Sequence, residues 1–182
     1  METKIEEAIH FVFVAFKGKR RSKEDIELAY HSISVGMMLM ENNMSEEIVL
    51  TGLLHDIIED SEYGYDDIKQ KFGEKIAENV LILSENKEIK NFKERKIEFI
   101  NRLNKISNND LIMVEIADKL QNLVSDYNLY KVYGKDALKT LETSYEMNKW
   151  YYNLMKNLFL NKVESNRLLN RYLEIVNLYF ER

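Results

Sequence analysis

Apolar residues recur along this chain at intervals of three and four, the spacing of one helix face, and almost nowhere alternate in twos. The pattern predicts helices over about 3–17 and 25–42, then a third that Ser45 caps and that runs to about Asp60, with Glu46 and Glu47 in its first turn. Asp66 and Asp67 open a short helix that Gly73 ends, and further helices are expected over about 74–84, 91–106, 109–131, 135–160 and 163–181. The breaks ENNMS, SEYGY, SENKE, SNND, YGKD and NKVES are short and polar. Nothing forces the helices apart earlier, because the chain has no proline and only six glycines. With no strand-like run, repeat or linker, the expectation is an all-α helical bundle, one domain over residues 1–182.

Composition narrows the function classes. The 182 residues suffice for a sizeable core, and 45% hydrophobic with 31% charged residues is ordinary for a globular protein. A formal net charge of −5 argues against a nucleic-acid partner, although a local basic patch such as GKRRSKED could hold a small phosphorylated molecule. The absence of cysteine excludes disulfides and thiolate metal sites. The early apolar run IHFVFVAF is shorter than the ~20 residues a bilayer requires, and acidic residues precede it. A cytoplasmic protein with no membrane partner is expected; the oligomeric state is not legible.

The candidate chemistry begins at LLHDIIED, residues 53–60. On a helix, Leu53, Leu54, Ile57 and Ile58 share one arc and His55, Asp56, Glu59 and Asp60 the opposite one. An acidic solvated face is one reading of that arc. A divalent ion is the other, since a dication removes the repulsion among crowded carboxylates. His31 lies in AYHSISVGMMLM, where a hydrogen-bonded core histidine is the plainer alternative. Asp118 follows an apolar run with Asn122 one turn later, which on its own is a polar stripe with Glu115, Ser125 and Asp126. Taken together, His31, His55, Asp56 and Asp118 form a nitrogen and oxygen set suited to Mn²⁺, Fe²⁺ or Zn²⁺. Glu59 and Asp60 then stand within a turn of the ion, where they could orient or deprotonate a water.

This order of residues resembles the HD superfamily of metal-dependent phosphohydrolases. The segments FKGKRRSKEDIELAYHS, LLHDIIED, IKQKFGEKIAENV, ERK at 94–96, IADKLQNL and WYY at 150–152 are similar, in that order, to the hydrolase domain of RelA/SpoT homologues. They are most similar to stand-alone small alarmone hydrolases, a group that includes the metazoan SpoT homologue. The likeness covers about residues 5–160 and leaves 161–182 as a C-terminal helix, too short for a synthetase domain. The resemblance implies one Mn²⁺ and hydrolysis of the 3′-pyrophosphate of (p)ppGpp to pyrophosphate and GDP or GTP. His31, His55, Asp56 and Asp118 match the metal ligands, and Glu59 and Asp60 the pair that activates water. Asn122 matches a substrate-contacting asparagine, and Arg20 and Arg21 the basic residues near the nucleotide; guanidinium groups suit phosphates and purine faces. Arg95 and Lys96 could reach phosphates or serve the surface, and Tyr151 and Tyr152 could line the pocket or the core. Three departures surround the loop expected to hold the base: Phe16 for a histidine, Arg21-Ser22 for Arg-Lys, and His31-Ser32 for His-Pro. They keep a second enzyme reading open, an HD phosphohydrolase acting on an adenine alarmone or a phosphorylated dinucleotide. A non-catalytic nucleotide-binding module is the third.

Overall fold

The computed structural model describes residues 3–21, 24–141 and 143–180. Among the described residues the fold is all-α apart from one short hairpin with two residues in each strand. Its helices are α1 (Lys4–Ala15), α2 (Ala29–Glu41), α3 (Glu46–Leu54), α4 (Ile57–Asp60), α5 (Tyr65–Phe72), α6 (Glu74–Leu83), α7 (Phe92–Asn104), α8 (Asp110–Tyr133), α9 (Tyr145–Lys162) and α10 (Arg167–Phe180). None of those described is long and apolar enough to cross a membrane. Caps fix the starts of several helices. Thr3 and Glu6 form a capping box on α1, and Ser45 and Ser144 accept from the backbone of α3 and α9.

Four boundaries differ from the sequence expectation. Between α1 and α2, strands β1 (Arg20–Arg21) and β2 (Ile26–Glu27) pair antiparallel, so the helix expected from residue 25 starts four residues later. Gly18 and Asp25 supply the positive φ angles, 73° and 51°, that turn the chain into and through this hairpin. The helix expected from Ser45 to Asp60 breaks at His55–Asp56, where Asp56 takes φ −89° and ψ −3°. Gly134, at φ 59°, ends α8, and a 3-10 segment (Gly134–Thr140) replaces the first part of the helix expected over 135–160. Val163 is extended, and Asn166 Oδ1 accepts from Leu168 and Leu169 N–H, which postpones α10 to Arg167.

α8 is the axis of the bundle. Its residues from Leu111 to Asp118 are all buried, as expected of a helix surrounded by others, and α2, α3, α9 and α10 pack on it. Phe16, at a departure from the family pattern, is 1% exposed and serves the core. α2 and α3 pack closely on one another. A Cβ at Gly36 would stand 2.6 Å from Leu53 Cγ, and one at Gly52 would stand 2.2 Å from Leu39 Cδ1. Mutual glycines therefore let the two backbones approach, with Leu39 and Leu53 filling the space that side chains would take.

That close approach is testable. Gly36→Ala forces a methyl onto a branched carbon that cannot swing away, and should cost about 1–3 kcal/mol by overpacking. Urea denaturation checks this; unchanged stability would show that α2 and α3 can slide apart freely.

Candidate active site

The α2–α3 contact brings two imidazoles together, their planes inclined at 60°. His31, in the first turn of α2, and His55, just past α3, are both buried, with their Nε2 atoms 3.2 Å apart. Hydrogen bonds on their far sides settle the tautomers. His55 Nδ1 lies 2.8 Å from Gly52 O, which can only accept, so Nδ1 carries the proton. His31 Nδ1 lies 2.6 Å from Gln121 Oε1. Arg21 Nη1 donates to that same oxygen at 2.8 Å, and a guanidinium has no acceptor, so the atom is the amide oxygen and His31 Nδ1 donates to it. In the neutral rings both Nε2 lone pairs then point at each other.

Carboxylates close the same space. Asp118 Oδ1 lies 3.2 Å from His31 Nε2 and 3.9 Å from His55 Nε2. Asp56, turned by the helix break, places its oxygens 3.4 Å and 3.2 Å from the two Nε2 atoms. The three atoms His31 Nε2, His55 Nε2 and Asp118 Oδ1 lie 3.2, 3.2 and 3.9 Å from one another, spacings that one ion can span with pairs of bonds of ~2.1 Å. Two lone pairs and two anions converge here, and the one donor among them, Asn122 Nδ2 on Asp118 Oδ1, leaves them mutually repulsive; a divalent cation is what such a set fits. Burial opposes charge on His31, yet Asp118 and Asp56 outweigh it and raise its pKa.

Around this point the charges are layered. Burial would raise the pKa of Asp118, but Lys119, with Nζ 2.5 Å from Oδ2, and the imidazoles hold it well below the usual carboxylate range. Lys119 is itself buried beside Glu115, whose pKa burial lifts to about 7. Glu59 is also pushed up to about 7, first by burial and then by the Asp56 carboxylate. Its Oε1 accepts the Glu85 backbone N–H at 2.8 Å. Lys87 Nζ lies 2.6 Å from Asp60 Oδ1 and 3.5 Å from Glu59 Oε2, and donates to the Glu59 carbonyl. The Glu85 side chain is held by Arg95 at 3.0 Å and Lys96 at 2.5 Å. All of these groups line one open cleft of about 1160 Å³, far larger than an ion needs, whose wall carries Lys19, Arg20, Lys87 and Lys90.

His31, His55, Asp56, Asp118, Glu59, Asp60, Asn122, Arg20 and Arg21 all line this cleft. Arg20 and Arg21 do so differently. Arg20 is half-exposed and pairs with Asp25 and Glu27, whereas Arg21 points inward to Gln121 and Asn122. Ser22 and Lys23, at one departure from the family pattern, lie outside the described residues. Arg95 and Lys96 reach the cleft through Glu85. Tyr151 and Tyr152 are buried, with Lys96 Nζ 4.6 Å from the Tyr151 ring centre. Sequence reasoning missed Gln121, Glu85, Lys87 and Lys119. For Lys87 and Glu85 the polar break SENKE carried no signal. For Gln121 and Lys119 the only signal was adjacency in the chain to Asp118 and Asn122, on a helix that carries several other polar residues.

Comparison with known proteins agrees with this geometry. The family model described as HD domain matches residues 8–136. A guanosine-3′,5′-bis(diphosphate) 3′-pyrophosphohydrolase of Aquifex aeolicus is 30% identical over 108 residues, 58% of this chain and 15% of its own length. The chain thus spans only about 15% of the length of that curated relative. The Drosophila melanogaster guanosine-3′,5′-bis(diphosphate) 3′-pyrophosphohydrolase MESH1 is 28% identical over 116 residues, 61% of this chain and 64% of its own. A solved structure of a metazoan ortholog of SpoT, described as hydrolysing ppGpp and acting in starvation responses, superposes with a TM-score of 0.79. It is 22% identical and covers 98% of this chain and 96% of its own, a likeness of fold.

The raised pKa of Glu59 has a consequence for stability. The folded chain holds that proton up to about pH 7 while the unfolded chain loses it near 4.5, so between those values the folded state binds more protons and stability falls as pH rises. In metal-stripped protein, Glu59→Gln should unfold like wild type at pH 4 and be more stable at pH 8, by at most ~3 kcal/mol. Urea midpoints at the two pH values measure this; equal differences at both would mean that Glu59 is not strained by its surroundings.

Proposed function

The chain belongs to the HD domain family, and we propose that it is a metal-dependent 3′-pyrophosphohydrolase of guanosine bis(diphosphate) nucleotides. One divalent ion, taken to be Mn²⁺, would be held by His31, His55, Asp56 and Asp118. The observation that carries this reading is the meeting of two proton-free Nε2 atoms and two carboxylates beside a carboxyl group whose pKa is lifted to about 7. The relatives' named activity supports the choice of substrate.

When bound, a divalent cation supplies Lewis-acid polarisation of a phosphoryl oxygen and lowers the pKa of a nearby water. The rest falls to the chain. Glu59, with a pKa near the working pH, accepts the proton of the attacking water. The Glu85 N–H and Lys87 hold its carboxylate in place, and Asp60, anchored by the same lysine, orients the water. The oxygen of water bonds to the phosphorus attached to O3′, the P–O3′ bond breaks, and O3′ departs with a proton. ppGpp and water thereby give GDP and pyrophosphate, and pppGpp gives GTP and pyrophosphate. Lys19, Arg20, Lys87 and Lys90 offer positive charge to the polyphosphate arms at the mouth of the cleft.

The first experiment is turnover of metal-stripped protein on ppGpp and its adenine counterpart, with and without Mn²⁺, with products separated by ion exchange. Mn²⁺-dependent release of GDP and pyrophosphate is expected. Cleavage of the adenine compound alone would move the substrate class, and no cleavage of either would defeat the enzyme reading.

Two variants separate metal from base. Asp118→Ala should lose both Mn²⁺ and turnover. Glu59→Gln should keep Mn²⁺ while turnover falls by ~10²–10⁴-fold. If Glu59→Gln turns over at the wild-type rate, proton transfer belongs to another group.

A further inference from the structure

Arg21 sits on the hairpin, outside the helices that carry the candidate ligands, yet its guanidinium fork reaches two of those ligands through two amides. Nη1 donates to Gln121 Oε1 at 2.8 Å, and Nη2 donates to Asn122 Oδ1 at 3.0 Å. Each amide passes the constraint on. Gln121 Oε1 accepts from His31 Nδ1 at 2.6 Å, and Asn122 Nδ2 donates to Asp118 Oδ1 at 2.6 Å. Because a guanidinium only donates, it fixes which end of each amide faces it. It thereby selects the His31 tautomer that leaves Nε2 proton-free, and it aims Asp118 Oδ1 at the same point. Glu24, 3.0 Å from Arg21 Nε, orients the fork in turn. The side chain is only 11% exposed, and each of its three nitrogens, Nε, Nη1 and Nη2, faces one of these partners at the edge of the cleft.

We propose that Arg21 is a positioning residue for the metal centre, acting through Gln121 on His31 and through Asn122 on Asp118. This rests on the metal site proposed above and changes the expectation that Arg21 serves the nucleotide alone. A lysine cannot replace it, because a single ammonium does not present two parallel donors in a plane. Glutamate can replace Gln121, because it keeps an acceptor toward both Arg21 and His31, whereas leucine removes it.

The test measures Mn²⁺ binding to metal-stripped protein by calorimetry, without nucleotide, for Arg21→Lys, Gln121→Leu and Gln121→Glu. The first two should weaken binding about 10–100-fold, the usual effect of losing a partner that orients a ligand, while Gln121→Glu keeps wild-type affinity. A second readout is the ¹⁵N spectrum of the imidazoles, simple because the chain has three histidines. Well above the imidazole pKa range, metal-free wild type should show His31 protonated at Nδ1, and Gln121→Leu should populate the Nε2–H form. If Gln121→Leu does not fold, Arg21→Lys decides the matter by its affinity and its His31 tautomer. Unchanged Mn²⁺ affinity with a raised KM for ppGpp in Arg21→Lys would overturn the proposal and return Arg21 to the nucleotide. Because both readouts exclude nucleotide, failure of ppGpp to turn over defeats the substrate reading alone.

Discussion

The structure turns on two imidazole lone pairs held 3.2 Å apart. Left alone, such a pair would separate or capture a proton. Three features prevent separation. Gly36 and Gly52 let α2 and α3 approach closely, the Gly52 carbonyl takes the outer proton of His55, and Gln121 takes that of His31. Each hydrogen bond fixes a ring by its far nitrogen and leaves the near one free to bind. The helix break at His55–Asp56 completes the arrangement. An unbroken helix would carry Asp56 a further 100° around the axis from His55, whereas the bridge-region backbone lets both side chains meet His31.

Charge order explains how a net acidic chain can present a cleft lined by cations. The acids lie on the floor, where Asp56, Asp118 and Glu59 surround the metal position, and the cations stand on the wall. Lys87 joins the two layers, with one ammonium touching both carboxylates of the Glu59–Asp60 pair. Lys119 works from below, neutralising the far oxygen of Asp118 so that the near one can face the metal. The net charge of −5 is a sum over the whole surface and says little about this local field.

The helices were legible because their apolar spacing records burial against neighbours, and the candidate ligands stood out because histidine and aspartate in that order resemble a known pattern. What escaped has particular causes. The break after Leu54 leaves both His55 and Asp56 in right-handed conformations, so no glycine or proline marks it. The hairpin has only two residues per strand, too short for alternation to register. Gln121 escaped because a polar residue on a helix reads as solvent-facing unless the helix is known to be surrounded. The burial of α8 is a property of the bundle rather than of the segment. Glu85 and Lys87 act across 26 to 28 residues of sequence, a pairing that local pattern cannot express.

The unfavourable groups of this protein are concentrated rather than spread. Glu59 and Glu115 are both carboxyl groups lifted to about pH 7, and Lys119 is an ammonium inside the bundle beside Asp118. A chain selected only for stability would replace such a set with packed aliphatics, because buried ion pairs rarely repay their desolvation. Elsewhere the core is mostly aliphatic and aromatic side chains in contact, with a few buried polar residues such as Thr51, Asn79 and Asp126. The exception coincides with the open cleft and with the converging imidazoles, where perturbed proton affinity is useful to a reaction. Removing any one partner would leave another charge stranded in low dielectric, so the set stands as a unit. That mutual dependence reaches from α7, through Glu85 and Glu59, to the ligands, and from the hairpin, through Arg21, to the same point.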